Sequence, residues 1–133
     1  MPIHKCKLID LPKIYDPRGS LTFIESTHVD FEIKRVYYLY DVPGGESRGA
    51  HAHLDLHQVL IPVTGSFEVE LDDGFIKKSF FMKSANQGLY ISPMIWRDLR
   101  GFTTGSVCLA LASQIYDECD YIRSYDTFLR MVS

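Results

Sequence analysis

Turn signals recur so often along this chain that there is room for little besides short strands. Asp16-Pro17-Arg18-Gly19, Pro43-Gly44-Gly45, Thr64-Gly65-Ser66, Asp72-Asp73-Gly74 and Asn86-Gln87-Gly88 punctuate it, and Gly101 and Gly105 follow. Proline fixes φ and glycine reaches backbone angles closed to other residues, so such clusters end regular elements. Between them lie segments rich in β-branched and aromatic residues. Lys7 to Ile14, Leu21 to Ile24, Ile33 to Tyr40, residues 50–63, Phe67 to Leu71, Phe75 to Met82, Leu89 to Ser92 and Val107 to Ala112 each read as a strand. Phe67, Val69 and Leu71 alternate with Glu68 and Glu70, so one face is buried and one is wet. Only the tail changes character. Asp117 to Val132 lacks Gly and Pro, and Tyr121, Ile122, Tyr125, Phe128 and Leu129 recur at helical spacing. Asp117 or Asp120 is placed to cap that helix. The expectation is all-β: a sandwich or open barrel with a short C-terminal helix.

A chain of 133 residues, 46% of them hydrophobic, suits one domain with a real core, spanning 1–133. Its 14 basic and 17 acidic residues leave a formal charge of −3, which argues against a nucleic-acid partner. Cys6, Cys108 and Cys119 are an odd number without CxxC spacing, as expected of reduced thiols in a cytoplasmic protein. The start MPIHKCKLIDL has no apolar core of a signal peptide, and no run is long enough for a membrane span.

Chemistry concentrates in Gly45 to Gly65, GESRGAHAHLDLHQVLIPVTG, which carries His51, His53 and His57. On a strand, period-two alternation puts His51 and His53 on one face, their Cα atoms roughly 6.5 to 7 Å apart. His57 shares the parity of His51 if the strand is continuous. Three roles are open to the histidines: metal ligation, acid/base work, or structural hydrogen bonding. A metal needs three or four donors from His, Cys, Asp or Glu. Gln58 is a poor neutral donor, and the later stretch Gly88 to Leu99 contains no histidine. No metal site is therefore expected.

The spacing Gly45, His51, Ala52, His53, Gln58, Gly65 resembles the first cupin motif, with Gln58 where a metal-binding glutamate usually stands. GLYISPMIWRDL keeps the Gly and Pro of the second motif without its histidine. The resemblance implies a cupin jelly roll. Longer stretches narrow it: PRGSLTFIES, FEIKRVYYLYDV, RGAHAH, HQVLI, GLYISP and LASQIYDECDYIRSYDTF. Together they resemble the nucleotide-sugar 3,4-ketoisomerases, also called WxcM-like, over nearly the whole chain. Membership would imply isomerisation of dTDP-4-keto-6-deoxyglucose to a 3-keto sugar on the way to 3-amino sugars. It would imply no metal or redox cofactor, and a homodimer that exchanges N-terminal strands.

The resemblance assigns His51 the role of base, with His53 orienting substrate or carrying hydroxyl protons. A neutral imidazole suits this work because its reference pKa is about 6.5. Tyr37 would donate to the developing enediolate oxygen. Arg48 is the first choice for the diphosphate, since guanidinium matches phosphate oxygens; Arg35 and Arg18 are further candidates. Arg97 and Gln58 complete the expected substrate pocket, while Trp96 either lines it or fills the core. The tail charges Asp117, Glu118, Asp120 and Arg123 read as a structural or dimer-contact set. Arg18 and Arg97 mix the patterns of galacto-type and gluco-type members, leaving the configuration at carbon 4 open. The same residues are open to three other readings: a dTDP-4-keto-6-deoxy-sugar epimerase, a metal-dependent cupin oxygenase, and a non-catalytic sugar-binding or regulatory cupin.

Overall fold

The computed structural model describes residues 2–133. Two five-stranded antiparallel sheets face each other. One has the order β1 (Lys7–Asp10), β9 (Gln87–Ile91), β6 (Gln58–Thr64), β11 (Val107–Ala112), β4 (Arg35–Leu39). The other has the order β12 (Tyr121–Ile122), β5 (Arg48–His53), β10 (Trp96–Arg100), β7 (Phe67–Asp72), β8 (Lys77–Met82). A separate hairpin joins β2 (Lys13–Asp16) to β3 (Gly19–Thr22). The expected all-β, cupin-like sandwich is present, and one helix, α1 (Tyr125–Val132), closes the chain. No helix among the described residues is long and apolar enough to cross a membrane.

Three apolar layers hold the sandwich. Leu60, Phe67, Val69, Leu71, Met82, Leu89, Ile91, Leu99 and Cys108 fill the space between the sheets. Val59, Ile61 and Leu111 point the other way and are covered by Leu11, Ile24, Val29, Phe31 and Ile33. Trp96, Ala52, Ile122 and Phe128 form the third layer, beneath α1. A strand covered on both faces needs no alternation, which is why β6 reads as a continuous apolar run.

Four elements differ from expectation. Lys7 to Ile14 is two strands, because Pro12 has no N–H and a fixed φ; Leu11 bonds instead to the Asn86 carbonyl at 2.8 Å. Residues 50–63 are also two strands, β5 and β6, lying in opposite sheets. Asp120 pins the bend between them: its backbone oxygen accepts from Leu54 N–H at 2.9 Å and its Oδ1 from Asp55 N–H at 2.8 Å. The tail is a single short helix rather than one from Asp117. Asp117 caps only a 3-10 turn, Glu118–Asp120; β12 follows, and Ser124 caps α1 by accepting from Thr127 N–H at 3.2 Å. Finally, β10 lies in a stretch the sequence left without an assigned element. Two arginines and an aspartate in five residues mask a strand between β5 and β7.

Candidate active site

Between the sheets, at one end, opens a cavity of about 430 Å³. Alternation along β4 turns Arg35, Tyr37 and Leu39 into it and leaves Val36 and Tyr38 outside. From β6 come Gln58 and Leu60, from β10 Arg97 and Leu99, and from β5 Arg48, Gly49 and His51.

A bulge aims His51. Arg97 pairs with His51 and Asp98 with Gly49, so Ala50 has no partner on β10. Gly49 and Ala50 carry φ of 91° and 56°, the left-handed region a bulge of this kind requires. The His51 Nδ1 then lies 3.0 Å from the Gly49 carbonyl oxygen. A carbonyl only accepts, so Nδ1 holds the proton and Nε2 keeps its lone pair. Burial, reinforced by the Arg97 guanidinium, lowers the His51 pKa to about 4. His51 is thus a neutral imidazole at ordinary pH.

His53 shares the His51 face, and their rings meet edge to face with centroids 4.8 Å apart. It does not line the cavity: it is 1% exposed and sits behind His51 and Tyr121. Its Nδ1 is 2.9 Å from Asp120 Oδ2, and Nε2 is buried without a partner. The distance is that of an ion pair, yet burial and the Arg97 charge hold His53 neutral. The contact is therefore an N–H donated to a carboxylate.

A second chain of hydrogen bonds crosses the floor. Arg97 Nη1 donates to Gln58 Oε1 at 2.7 Å, and Arg97 Nη2 to the Ile95 carbonyl at 2.9 Å. Gln58 Nε2 donates to the Tyr37 hydroxyl at 2.6 Å. Arg97 offers only donors, so it fixes which end of the Gln58 amide faces it. Tyr37 accepts from the other end, and its own O–H proton stays available. Burial raises the Tyr37 pKa, keeping that proton in place.

The donor set does not fit a metal. Among the described residues no three His, Cys, Asp or Glu side chains converge on one point. Arg97 is 1% exposed and holds Gln58, so a cation already stands beside the residue that replaces the cupin glutamate. His57 is far from joining: its Nδ1 is 2.7 Å from the Tyr90 hydroxyl, and its ring stacks on Phe31. Cys108 lines the cavity, but burial pushes its thiol to about 12, so it is inert there.

The structure thus gathers Tyr37, Arg35, Arg48, His51, Gln58 and Arg97 around one space, with His53 directly behind. Two candidate pocket residues lie elsewhere: Trp96 takes its core alternative, and the expectation for Arg18 is corrected. Trp96 has the opposite parity to Arg97 and packs under α1 against Tyr125 and Phe128, its indole N–H donating to Asp98 at 3.3 Å. Arg18 is 91% exposed and pairs with Asp16 in the hairpin turn. Conversely, Tyr121 and Arg123 line the cavity, although the sequence points to a structural or dimer-contact role for the tail charges. Arg123 lies over the Tyr121 ring at 4.4 Å and is gripped by Glu118 at 2.6 and 2.9 Å, with the Tyr116 hydroxyl on the same carboxylate. Arg35 faces Tyr37 and Tyr116 at 5.2 and 5.7 Å. The signal for these residues was the β-favouring pair Tyr121-Ile122, set between a 3-10 turn and a serine cap.

Residues 4–133 match the family model described as FdtA: WxcM-like, C-terminal. The chain is 46% identical over 128 residues to the TDP-4-oxo-6-deoxy-alpha-D-glucose-3,4-oxoisomerase of Aneurinibacillus thermoaerophilus, covering 96% of this chain and 92% of that protein. A histidine-to-asparagine variant of the 3,4-ketoisomerase QdtA from Thermoanaerobacterium thermosaccharolyticum, crystallised with TDP-4-keto-6-deoxyglucose, superposes with a TM-score of 0.94 at 42% identity, covering 96% of this chain and 93% of that one. A 4-keto-6-deoxy sugar epimerase from Streptomyces spheroides has a TM-score of 0.75 at 15% identity over 87% of this chain and 67% of that one, a likeness of fold alone. On the matched length and identity, the chain belongs to the WxcM-like family of nucleotide-sugar 3,4-ketoisomerases.

Proposed function

We propose that this protein converts dTDP-4-keto-6-deoxy-D-glucose to a dTDP-3-keto-6-deoxyhexose by proton transfer through an enediol. The observation that carries the reading is the free Nε2 of His51 on the cavity wall, its tautomer fixed by the Gly49 carbonyl. His51 Nε2 takes the proton from carbon 3, and the electron pair forms the C3–C4 double bond. Charge then develops on the carbon 4 oxygen. The Tyr37 O–H is the donor for it, and the proton of the carbon 3 hydroxyl replaces the one Tyr37 gives up. The imidazolium returns its proton to carbon 4, which leaves the ketone at carbon 3. No atom is gained or lost, and no redox partner enters.

The substrate is a diphosphate, and the cavity is cationic. Arg35, Arg48, Arg97 and Arg123 border it, while Glu118 balances Arg123. Arg97 is committed to the floor, so Arg48 and Arg35 are the groups offered to the diphosphate. A 3-keto product suits an aminotransferase as the next enzyme. The assembly is a homodimer in the cytoplasm. Val36, Tyr38 and Tyr40 beside β4, with Ile14 and Leu21 on the β2–β3 hairpin, are all more than half exposed. A second copy exchanging its N-terminal strands would cover such a surface.

The direct test is proton NMR of dTDP-4-keto-6-deoxyglucose incubated with the protein. A 3-keto species is the expected result. Inversion at carbon 5 would instead make the protein an epimerase, and an unchanged spectrum would leave only binding.

A further inference from the structure

Among the described residues Asp120 is the one buried carboxylate that bonds a histidine of this site, whereas the sequence suggests only a structural or dimer-contact part for the tail charges. The two Asp120 oxygens have different obligations. Oδ1 accepts from the backbone N–H of Asp55 at 2.8 Å, and Oδ2 faces His53 Nδ1 at 2.9 Å. Asp120 is 6% exposed and His53 is 1% exposed, so water does not compete for either bond. Burial raises the Asp120 pKa, opposed by the backbone N–H groups of Asp55 and Leu56; a carboxyl is still a weaker base than an imidazole, so Asp120 stays a carboxylate, which only accepts. His53 must therefore carry its proton on Nδ1. Its Nε2, turned away from Asp120, is a buried lone pair with no partner in the protein.

We infer that Asp120 is a positioning residue of the isomerase: it fixes His53 as the Nδ1–H tautomer against the rings of His51 and Tyr121. Residues 120–122 reach this place because β12 pairs with β5, setting Tyr121 opposite His53. The chain thus holds both histidines in the same tautomer by different means, a carbonyl for His51 and a carboxylate for His53. A buried imidazole with Nε2 unprotonated keeps an acceptor behind the cavity lining, beside the His51 and Tyr121 rings. The opposite tautomer would present an N–H there and remove the acceptor.

The geometry gives a discriminating variant. In Asp120→Asn, the Asp55 N–H can only donate, so the amide oxygen must face it. The amide NH₂ then faces His53 Nδ1 and can only donate in turn. His53 is forced to accept at Nδ1 and to move its proton to Nε2. The shape of the side chain is almost unchanged, whereas the tautomer is inverted.

The inference rests on the isomerase reading for its effect on turnover, but not for the tautomer. The experiment is ¹⁵N NMR of histidine-labelled wild type and Asp120→Asn, each with TDP added, alongside steady-state kinetics on dTDP-4-keto-6-deoxyglucose. The wild-type His53 signals should show a protonated Nδ1 and a bare Nε2, and Asp120→Asn should exchange them. In the kinetics, kcat should fall about tenfold or more with KM changed less than about threefold. Asp120→Glu keeps a carboxylate and should restore the wild-type tautomer signature. A wild-type His53 protonated on Nε2 would overturn the inference, and this holds even if the variants fail to fold. So would an inverted tautomer with unchanged kcat. If wild type shows the expected tautomer but leaves the keto sugar untouched, the isomerase reading has failed instead.

Discussion

His51 and His53 stand two residues apart on β5, yet one meets the cavity and the other meets Asp120. The roles proposed for them separate in experiment. With His51→Asn, kcat should fall by about 10² to 10⁴, the usual worth of a general base, or more. Exchange of the carbon 3 proton with deuterium should stop, while TDP affinity measured by calorimetry stays near wild type. Deuterium exchange at the wild-type rate in that variant would remove His51 from the base role. Tyr37→Phe removes one hydroxyl that Gln58 holds at 2.6 Å. It should lower kcat roughly 10² to 10³-fold, on the scale of a lost oxyanion donor, with little effect on KM. At this scale the family resemblance pointed to Tyr37, and parity on one strand then put Tyr38 on the other face. The sequence failed where parity alone does not tell lining from burial behind the lining, as with His53. For Trp96, an aromatic beside a pocket arginine, the sequence left pocket and core both open, and the side chain packs in the core on the opposite face.

Strands carry these side chains, and one irregularity in a strand sets the site. The bulge at Gly49-Ala50 shifts the register of β5 against β10 just before His51. A Cβ at Gly49 would lie 3.0 Å from the Arg97 carbonyl oxygen, at a φ of 91° that L-residues avoid. Gly49→Ala should cost roughly 1 to 2 kcal/mol of stability from the backbone angle alone. It should also lower kcat further than that loss of folded protein explains, because it moves the strand that aims His51. Urea midpoints with an unchanged slope, read beside kcat, check both parts; full activity at reduced stability would show that the bulge does not aim the base. The sequence showed the glycine and the turn cadence but not the bulge, since Ala50 looks like an ordinary strand residue. Pairing with a distant strand decides such positions. The same is true of β10 and β12, whose charged neighbours hide their extended conformation until sheet partners supply it.

The whole molecule has a formal charge of −3, yet the cavity is bordered by four arginines, and that separation governs its response to acid. Burial and the Arg97 charge hold His51 at about 4 and His53 well below its ordinary value. In the unfolded chain both titrate near 6.5. Between those limits the unfolded chain binds protons that the folded one does not, so stability rises with pH across the window. Stability should therefore be level above about pH 7 and be lost as pH falls from about 6.5 toward 4. Glu118, held at about 2 by Arg123 and Tyr116, adds a further loss only at still lower pH, through the range below the ordinary carboxylate value. Urea midpoints at pH 7.5, 6 and 5 should fall in that order. His51→Gln, which cannot titrate, should flatten the slope between pH 6.5 and 4. The pH profile of kcat/KM should keep its acid limb near 4 rather than near 6.5, since the free enzyme's base sets it. An acid limb at 6.5 together with a level midpoint down to pH 5 would mean that the arginine-lined cavity does not hold its histidines neutral, and the proton-transfer scheme would need a different base.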